Sequence, residues 1–160
     1  MVGFARDRVM DPIDAKILNL LQEDCSRSLA ELGRAVGLST SGMNERLKRL
    51  RARGDVRAYV ALVNPHTLGY AACAFVQVAV EGKKNEQAFL AAALKMLEVQ
   101  EIHHVSGEFP FLLKIWARDV PHLEDLLNNQ LKAQTGVLRV QTSVVLSSPK
   151  DHVTGLNAKP

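Results

Sequence analysis

Apolar residues recur at helical spacing through the first third of the chain, and at strand-like and helical spacing in turn through the rest. Ile13, Ile17, Leu20 and Leu21 form one stripe, the 3.6-residue period of an amphipathic helix. Asp11 suits its N-cap, Pro12 its first helical position and Asp14 its first turn. Leu29, Leu32 and Val36 make a second, shorter stripe over residues 28–36. Ser28 followed three residues later by Glu31 is a capping-box pattern, and Gly37 supplies the left-handed stop. Leu38 reads as a buried turn residue. Ser39 then caps a third helix, predicted over 40–53, whose inward face is Met43, Leu47 and Leu50. Its outward side carries Ser41, Asn44, Glu45, Lys48 and Arg49.

From residue 55 the period shortens. Residues 55–65 read as an extended connector. Val56, Ala58, Val60 and Leu62 would share one face and Arg57, Tyr59, Ala61 and Val63 the other, a pattern that suits a strand covered on both sides. Asn64-Pro65 ends it with a turn. Strands are predicted over 74–81, 99–106, 111–118 and 137–146, with a turn at 107–110. Between them lie two helices. One, capped by Asn85, runs to Leu97 with Phe89, Leu90, Ala93, Leu94 and Leu97 inward. The other starts at Asp119 with Leu123, Leu126, Leu127 and Leu131 inward, and Gly136 breaks it. The order βαββαβ is a ferredoxin-like split unit. Its helices cover one sheet face. On the last strand Arg139, Gln141, Ser143 and Val145 point the other way, as an interface or ligand face would.

Charge adds direction to this picture. Arg46, Lys48, Arg49, Arg51, Arg53 and Arg57 stand against the single acid Asp55 over residues 46–57, while residues 58–160 carry nine basic and nine acidic side chains. The net charge of +3 is therefore concentrated near the third helix. A basic second helix after a tight turn is the arrangement that enters a DNA major groove and contacts phosphates. With 47% hydrophobic and 23% charged residues in 160, the chain has the makings of packed cores. Met1–Met10 has no signal-peptide pattern and no apolar run reaches the ~20 residues of a membrane span, so the expectation is a cytoplasmic protein without membrane contact. Cys25 and Cys73 are isolated and read as reduced thiols. No phosphate loop, nucleophile elbow or metal-spaced cluster is present. His103 and His104 would point to opposite faces of a strand and cannot chelate together. No cofactor and no metal are expected.

Three stretches are more specific. They are Asp11-Pro-Ile-Asp-Ala-Lys-Ile-Leu, Leu29-Ala-Glu-Leu-Gly-Arg-Ala-Val-Gly-Leu-Ser, and Arg46-Leu-Lys-Arg-Leu-Arg-Ala-Arg-Gly. With the connector Val60-Ala-Leu-Val-Asn-Pro-His-Thr-Leu-Gly-Tyr, they make the chain resemble the leucine-responsive (Lrp/AsnC, feast/famine) transcriptional regulators from Asp11 to about Lys150. The resemblance implies an α+β fold. It consists of a winged-helix-like helix-turn-helix domain (residues 1–54), a connecting strand (55–69), a ferredoxin-like βαββαβ domain (70–150) and a tail (151–160).

The resemblance further implies a sequence-specific regulator of double-stranded DNA. Dimers form through the C-terminal domains and connectors and assemble into tetramers or octamers, with an amino acid or related small molecule bound between dimers. The DNA-contacting set would be Ser39, Thr40, Ser41, Gly42, Asn44, Glu45, Arg46, Lys48, Arg49, Arg51 and Arg53. Glu45 and Asn44 are suited to base edges, and Arg46, Arg49, Arg51 and Arg53 to phosphates. Carried to the matching turn and last strand, the effector site is Ser106, Gly107, Glu108, Phe109, Gln141 and Ser143. The turn Val105-Ser-Gly-Glu-Phe-Pro-Phe-Leu-Leu-Lys departs from the family's Gly-Asp-Tyr-Asp-Tyr-Leu-Leu. Glu108 and Pro110 replace its aspartates, and Phe109 and Phe111 its tyrosines. That favours a ligand with one polar end and an apolar or aromatic side chain. Two other functions remain open. One is an architectural, nucleoid-type DNA-binding protein without effector. The other is an enzyme like the sirohaem decarboxylases, which share this architecture but whose histidine motif His103-His104-Val105 matches poorly.

Overall fold

The computed structural model describes residues 10–151. Residues 1–9 and 152–160, which include most of the segment searched for a signal peptide and most of the expected tail, lie outside the described residues. The described chain forms two units, residues 10–61 together with 150–151, and residues 62–149.

The first unit contains three helices, α1 (Pro12–Glu23), α2 (Leu29–Val36) and α3 (Thr40–Ala52). Their ends are set by the local chemistry that the sequence announces. Asp11 accepts the backbone N–H groups of Ile13 and Asp14, satisfying donors that no helical carbonyl reaches. The Ser28 hydroxyl accepts the Glu31 N–H while the Glu31 carboxylate accepts the Ser28 N–H, completing the capping box. Gly37 closes α2 at φ 73°, and Ser39 accepts the Gly42 N–H to open α3. Ile17, Leu32, Met43, Leu47 and Leu50 meet in the core, with Leu29, Val36, Leu38 and Val56 around it. Leu38 is half-buried rather than enclosed.

Residues 57–64 run without a strand ladder in this chain, and Val60, Leu62 and Val63 are exposed. Among the described residues the expected connector strand has no second strand to exchange hydrogen bonds with, and a ladder needs two. Asn64 then caps a 3-10 turn, Pro65–Leu68.

The second unit is a four-stranded antiparallel sheet with two helical segments. The strands are β1 (Ala72–Val80), β2 (Val99–His104), β3 (Phe111–Ala117) and β4 (Val137–Val144), in the spatial order β2-β3-β1-β4. Helix α4 (Lys83–Ala93) joins β1 to β2. Helix α5 (Val120–Asp125) continues into a π-helical stretch, Leu126–Leu131, before β4. Alternation sorts each strand. Ala74, Val76 and Val78 of β1 with Phe111, Leu113 and Ile115 of β3 pack under Phe89, Leu123, Leu126 and Leu131.

Two expectations for α4 are corrected. Asn85 does not cap it. Gly82, at φ 81°, is the N-cap, and the Asn85 amide instead donates to the Glu81 carbonyl. Leu94 and Leu97 do not face inward. They are 75% and 87% exposed, Leu94 at the C-cap of the helix and Leu97 beyond its end.

Among the described residues no α-helix covers the other face of the sheet. Register places side chains there in rows. His103, Leu112, Gln77 and Gln141 form one row, Glu101, Lys114, Phe75 and Ser143 the next, and Trp116 and Cys73 a third. Phe75 is 40% exposed. His66 of the 3-10 turn meets Trp116 edge-on, ring centroids 5.9 Å apart. No helix among the described residues is long and apolar enough to cross a membrane.

Candidate functional site

Two sets of side chains separate from the cores. The first is on α3. Met43 and Leu50 are fully buried and Leu47 nearly so, which fixes the helix's rotation and turns Ser41, Glu45, Lys48 and Arg49 to solvent. The α2–α3 turn is tight. The Leu38 N–H donates to the Gly33 carbonyl at 2.8 Å. A Cβ at Gly33 would lie 2.6 Å from the Leu38 carbonyl oxygen, so only glycine lets the turn come this close. Glu45 accepts a hydrogen bond from Lys48 at 3.0 Å, both side chains being well exposed. Arg51 lies over the Tyr59 ring at 5.8 Å.

Arg46 and Arg53, expected to reach phosphates, are ion-paired within the domain in this structure. Arg46 Nη1 donates to Asp14 Oδ1 at 2.6 Å and to Asp11 Oδ1 at 2.9 Å. Arg53 Nη2 donates to Asp14 Oδ2 at 2.7 Å, and its Nε to Asp55 at 2.7 Å. Asp14 is 4% exposed. Burial pushes its carboxyl up, but the hydrogen bonds and charges of Arg53 and Arg46 outweigh that and hold it below its ordinary value. In the sequence Asp14 reads only as a first-turn acid. The signal available was its position three residues before Ile17, on the buried side of the stripe.

The second set surrounds the β2–β3 turn. Gly107 adopts φ 122°, a conformation that residues with a Cβ rarely enter, and the Val105 N–H closes the loop on the Pro110 carbonyl at 2.8 Å. Glu108 takes a hydrogen bond from Arg139 of β4, and the Arg139 guanidinium lies 5.2 Å from the centre of the Phe109 ring. A carboxylate and an aromatic ring of the turn thus meet a guanidinium from β4. Of the expected effector residues, Glu108 and Phe109 are brought together by Arg139, which sequence reading left on the open face without a role. Gln141 and Ser143 are on the same open face of β4, opposite Gln77 and Phe75. They stand two and four residues beyond Arg139, about 7 and 13 Å along the strand. Phe111, adjacent to the turn, faces the core.

His103 and His104 diverge. His103 is bonded to Glu101 at 3.0 Å, and His104 lies beside the core ring of Phe111.

A helix-turn-helix with a basic, solvent-facing second helix, followed by an open-faced βαββαβ unit, defines a DNA-binding transcriptional regulator. Comparison with known proteins gives the same class. Residues 10–51 match the AsnC-type helix-turn-helix domain and residues 73–154 the Lrp/AsnC ligand binding domain. The chain is 38% identical to the leucine-responsive regulatory proteins of Escherichia coli (strain K12) and Salmonella typhimurium over 143 residues, 88% of this chain and 87% of theirs. Among solved structures it superposes on a Neisseria meningitidis transcriptional regulator in complex with L-methionine (TM-score 0.86, 32% identity, 91% of this chain and 96% of that one). It also superposes on the leucine response regulatory protein of Mycobacterium tuberculosis (TM-score 0.81, 27% identity, 92% and 99%). The chain belongs to the Lrp/AsnC family of transcriptional regulators.

Proposed function

We propose that this regulator binds a two-fold DNA site as a homo-oligomer and changes its DNA affinity or assembly when an apolar or aromatic amino acid, or a related acid, occupies the β2–β3 turn. In this reading α3 enters the major groove. Ser41, Asn44 and Glu45, near its N-terminal end, meet base edges, where Asn44 suits adenine and Glu45 accepts from cytosine. Lys48, Arg49 and Arg51 meet phosphates. The uncovered sheet face, with Phe75 exposed and Trp116 and Leu112 half-buried, is the surface that a second copy covers, and the exposed apolar connector 57–63 pairs with its counterpart. Half-sites then lie about 10 base pairs, or a multiple of that, apart. Such a protein works in the cytoplasm.

The observation that carries the effector reading is the contact of Glu108, Arg139 and Phe109. An α-amino acid presents an ammonium and a carboxylate about as close together as this acid and base, so the zwitterion can exchange partners with the pair, ammonium to Glu108 and carboxylate to Arg139. Phe109 offers apolar surface to its side chain, and Gln141, the nearer of the two polar residues on β4, supplies an amide. The N. meningitidis relative's complex with L-methionine supports a ligand of this class. The reading is tested by calorimetry of the full chain against the common amino acids. Heat and thermal stabilisation are expected with apolar ones, lost in Arg139→Ala and in the Gln141→Ala, Ser143→Ala double variant. No heat and no stabilisation with any of them leaves a DNA-binding protein without this effector.

A further inference from the structure

Three of the six basic residues in the 46–57 cluster have already been assigned to phosphates. Arg46 and Arg53 behave differently. Each donates to a separate oxygen of one buried carboxylate, Asp14 Oδ1 and Asp14 Oδ2, at 2.6 and 2.7 Å. Each is also held by a second acid, Asp11 for Arg46 and Asp55 for Arg53. Their side chains are only 19% and 29% exposed. A guanidinium whose charge is matched by two carboxylates at hydrogen-bond distance has little left for a phosphate, and releasing it would strand Asp14 as an unpaired buried charge.

The spacing of the two arginines matters as much as their pairing. They lie seven residues apart, so Asp14 grips α3 at two points about 10 Å apart along its axis. Two contacts to one carboxylate on α1 fix the axial position of α3 relative to the rest of the domain, in addition to the rotation set by Met43, Leu47 and Leu50. The groups that would read base edges, on Ser41, Asn44 and Glu45, are carried by that same helix.

We infer that Asp14 is a positioning residue for DNA recognition, holding the reading helix through Arg46 and Arg53, and that these two arginines do not contact phosphate. The inference rests on the assignment of α3 to DNA. Its test uses the full chain and the duplex that the wild-type chain enriches from a random-core library. Affinity is measured from low to moderate salt. Each phosphate contact contributes about 0.9 to the slope of log affinity against log salt. Arg49→Ala and Lys48→Ala should each flatten that slope by about 0.9. Arg46→Ala and Arg53→Ala should lower affinity yet leave the slope at the wild-type value. Asp14→Asn should narrow the discrimination between the enriched duplex and single-mismatch duplexes, normally about tenfold or more per base pair, again with the slope unchanged. A purely structural role would reduce the active fraction without altering that ratio.

Flattening by about 0.9 in Arg46→Ala or Arg53→Ala overturns the inference, as does wild-type discrimination in a folded Asp14→Asn. Should Asp14→Asn fail to fold, the slopes of the two arginine variants, whose side chains keep partial exposure, decide alone. Unchanged slopes in Arg49→Ala and Lys48→Ala as well would remove the assignment of α3 to DNA, a result distinct from the first.

Discussion

Replacing Gly33 by alanine sets two effects against each other. In a solvent-facing helix interior the change stabilises by roughly 0.5–1 kcal/mol, because alanine loses less backbone freedom on folding. Here the new Cβ would sit 2.6 Å from the Leu38 carbonyl oxygen, with the Ser39 carbonyl oxygen at 3.6 Å behind it. The obstacle is backbone, so no rotamer relieves it. The α2–α3 turn would have to retreat by about half an ångström or more, stretching the 2.8 Å bond from Leu38 N–H to the Gly33 carbonyl. Overpacking of this kind costs about 1–3 kcal/mol. The cost exceeds the propensity gain, so the net effect is a loss of roughly 1–2 kcal/mol. For a domain this small that lowers the melting temperature by about 4–15 °C. Thermal unfolding of the full chain, followed by circular dichroism, reads this directly. Because the same turn sets where α3 begins, affinity for the enriched duplex should fall as well. A Gly33→Ala protein melting at or above the wild-type temperature would refute the packing argument.

Three further outcomes follow from named contacts. The Asp14 carboxyl is held below its ordinary value by Arg53 and Arg46, so its stabilisation is complete above the ordinary aspartate range. It is lost as pH falls from there through the lower folded value. Asp14→Asn should cost about 2 kcal/mol at pH 7 and flatten the fall in melting temperature between pH 5 and pH 3, the loss falling below the roughly 3–5 kcal/mol of a fully buried pair because both arginines keep some exposure. An equally steep acid fall in the variant contradicts this. Phe75→Glu places a charge in the middle of the uncovered sheet face and should convert the assembly to monomers by light scattering, whereas an unchanged mass would show that this face is not the interface. Glu45→Ala should relax the sequence preference in a selection experiment while Arg49→Ala weakens binding to every duplex, and an unchanged preference in Glu45→Ala would remove its base-reading role.

What the sequence disclosed was local. Asp11, Ser28 with Glu31, Gly37 and Ser39 act within a few residues of themselves, and each cap stands where its pattern placed it. The periodicity of Met43, Leu47 and Leu50, and of the inward positions of β1 and β3, survives folding because one face of each element is buried. The missed features join residues far apart in the chain. Asp14 meets Arg46 and Arg53 across 32 and 39 positions, and Glu108 meets Arg139 across 31. No local pattern distinguishes an arginine bound for a buried acid from one bound for a phosphate. Leu94 and Leu97 misled for a different reason. They continue the apolar spacing of α4 past its end at Ala93, Leu94 at the C-cap and Leu97 beyond it. The connector 55–65 has the composition of a strand, but composition does not supply the second strand that a ladder needs.

In the proposed function an apolar amino acid at the Glu108–Arg139 turn controls DNA binding by α3. The most direct test of this control is fluorescence anisotropy of the enriched duplex, titrated with the full chain in the presence and absence of each apolar and aromatic amino acid. At least one of them should shift the apparent affinity or the steepness of the binding curve in the wild-type chain and leave Arg139→Ala unmoved. Superimposable curves with every such ligand, or an equal shift in Arg139→Ala, would contradict it.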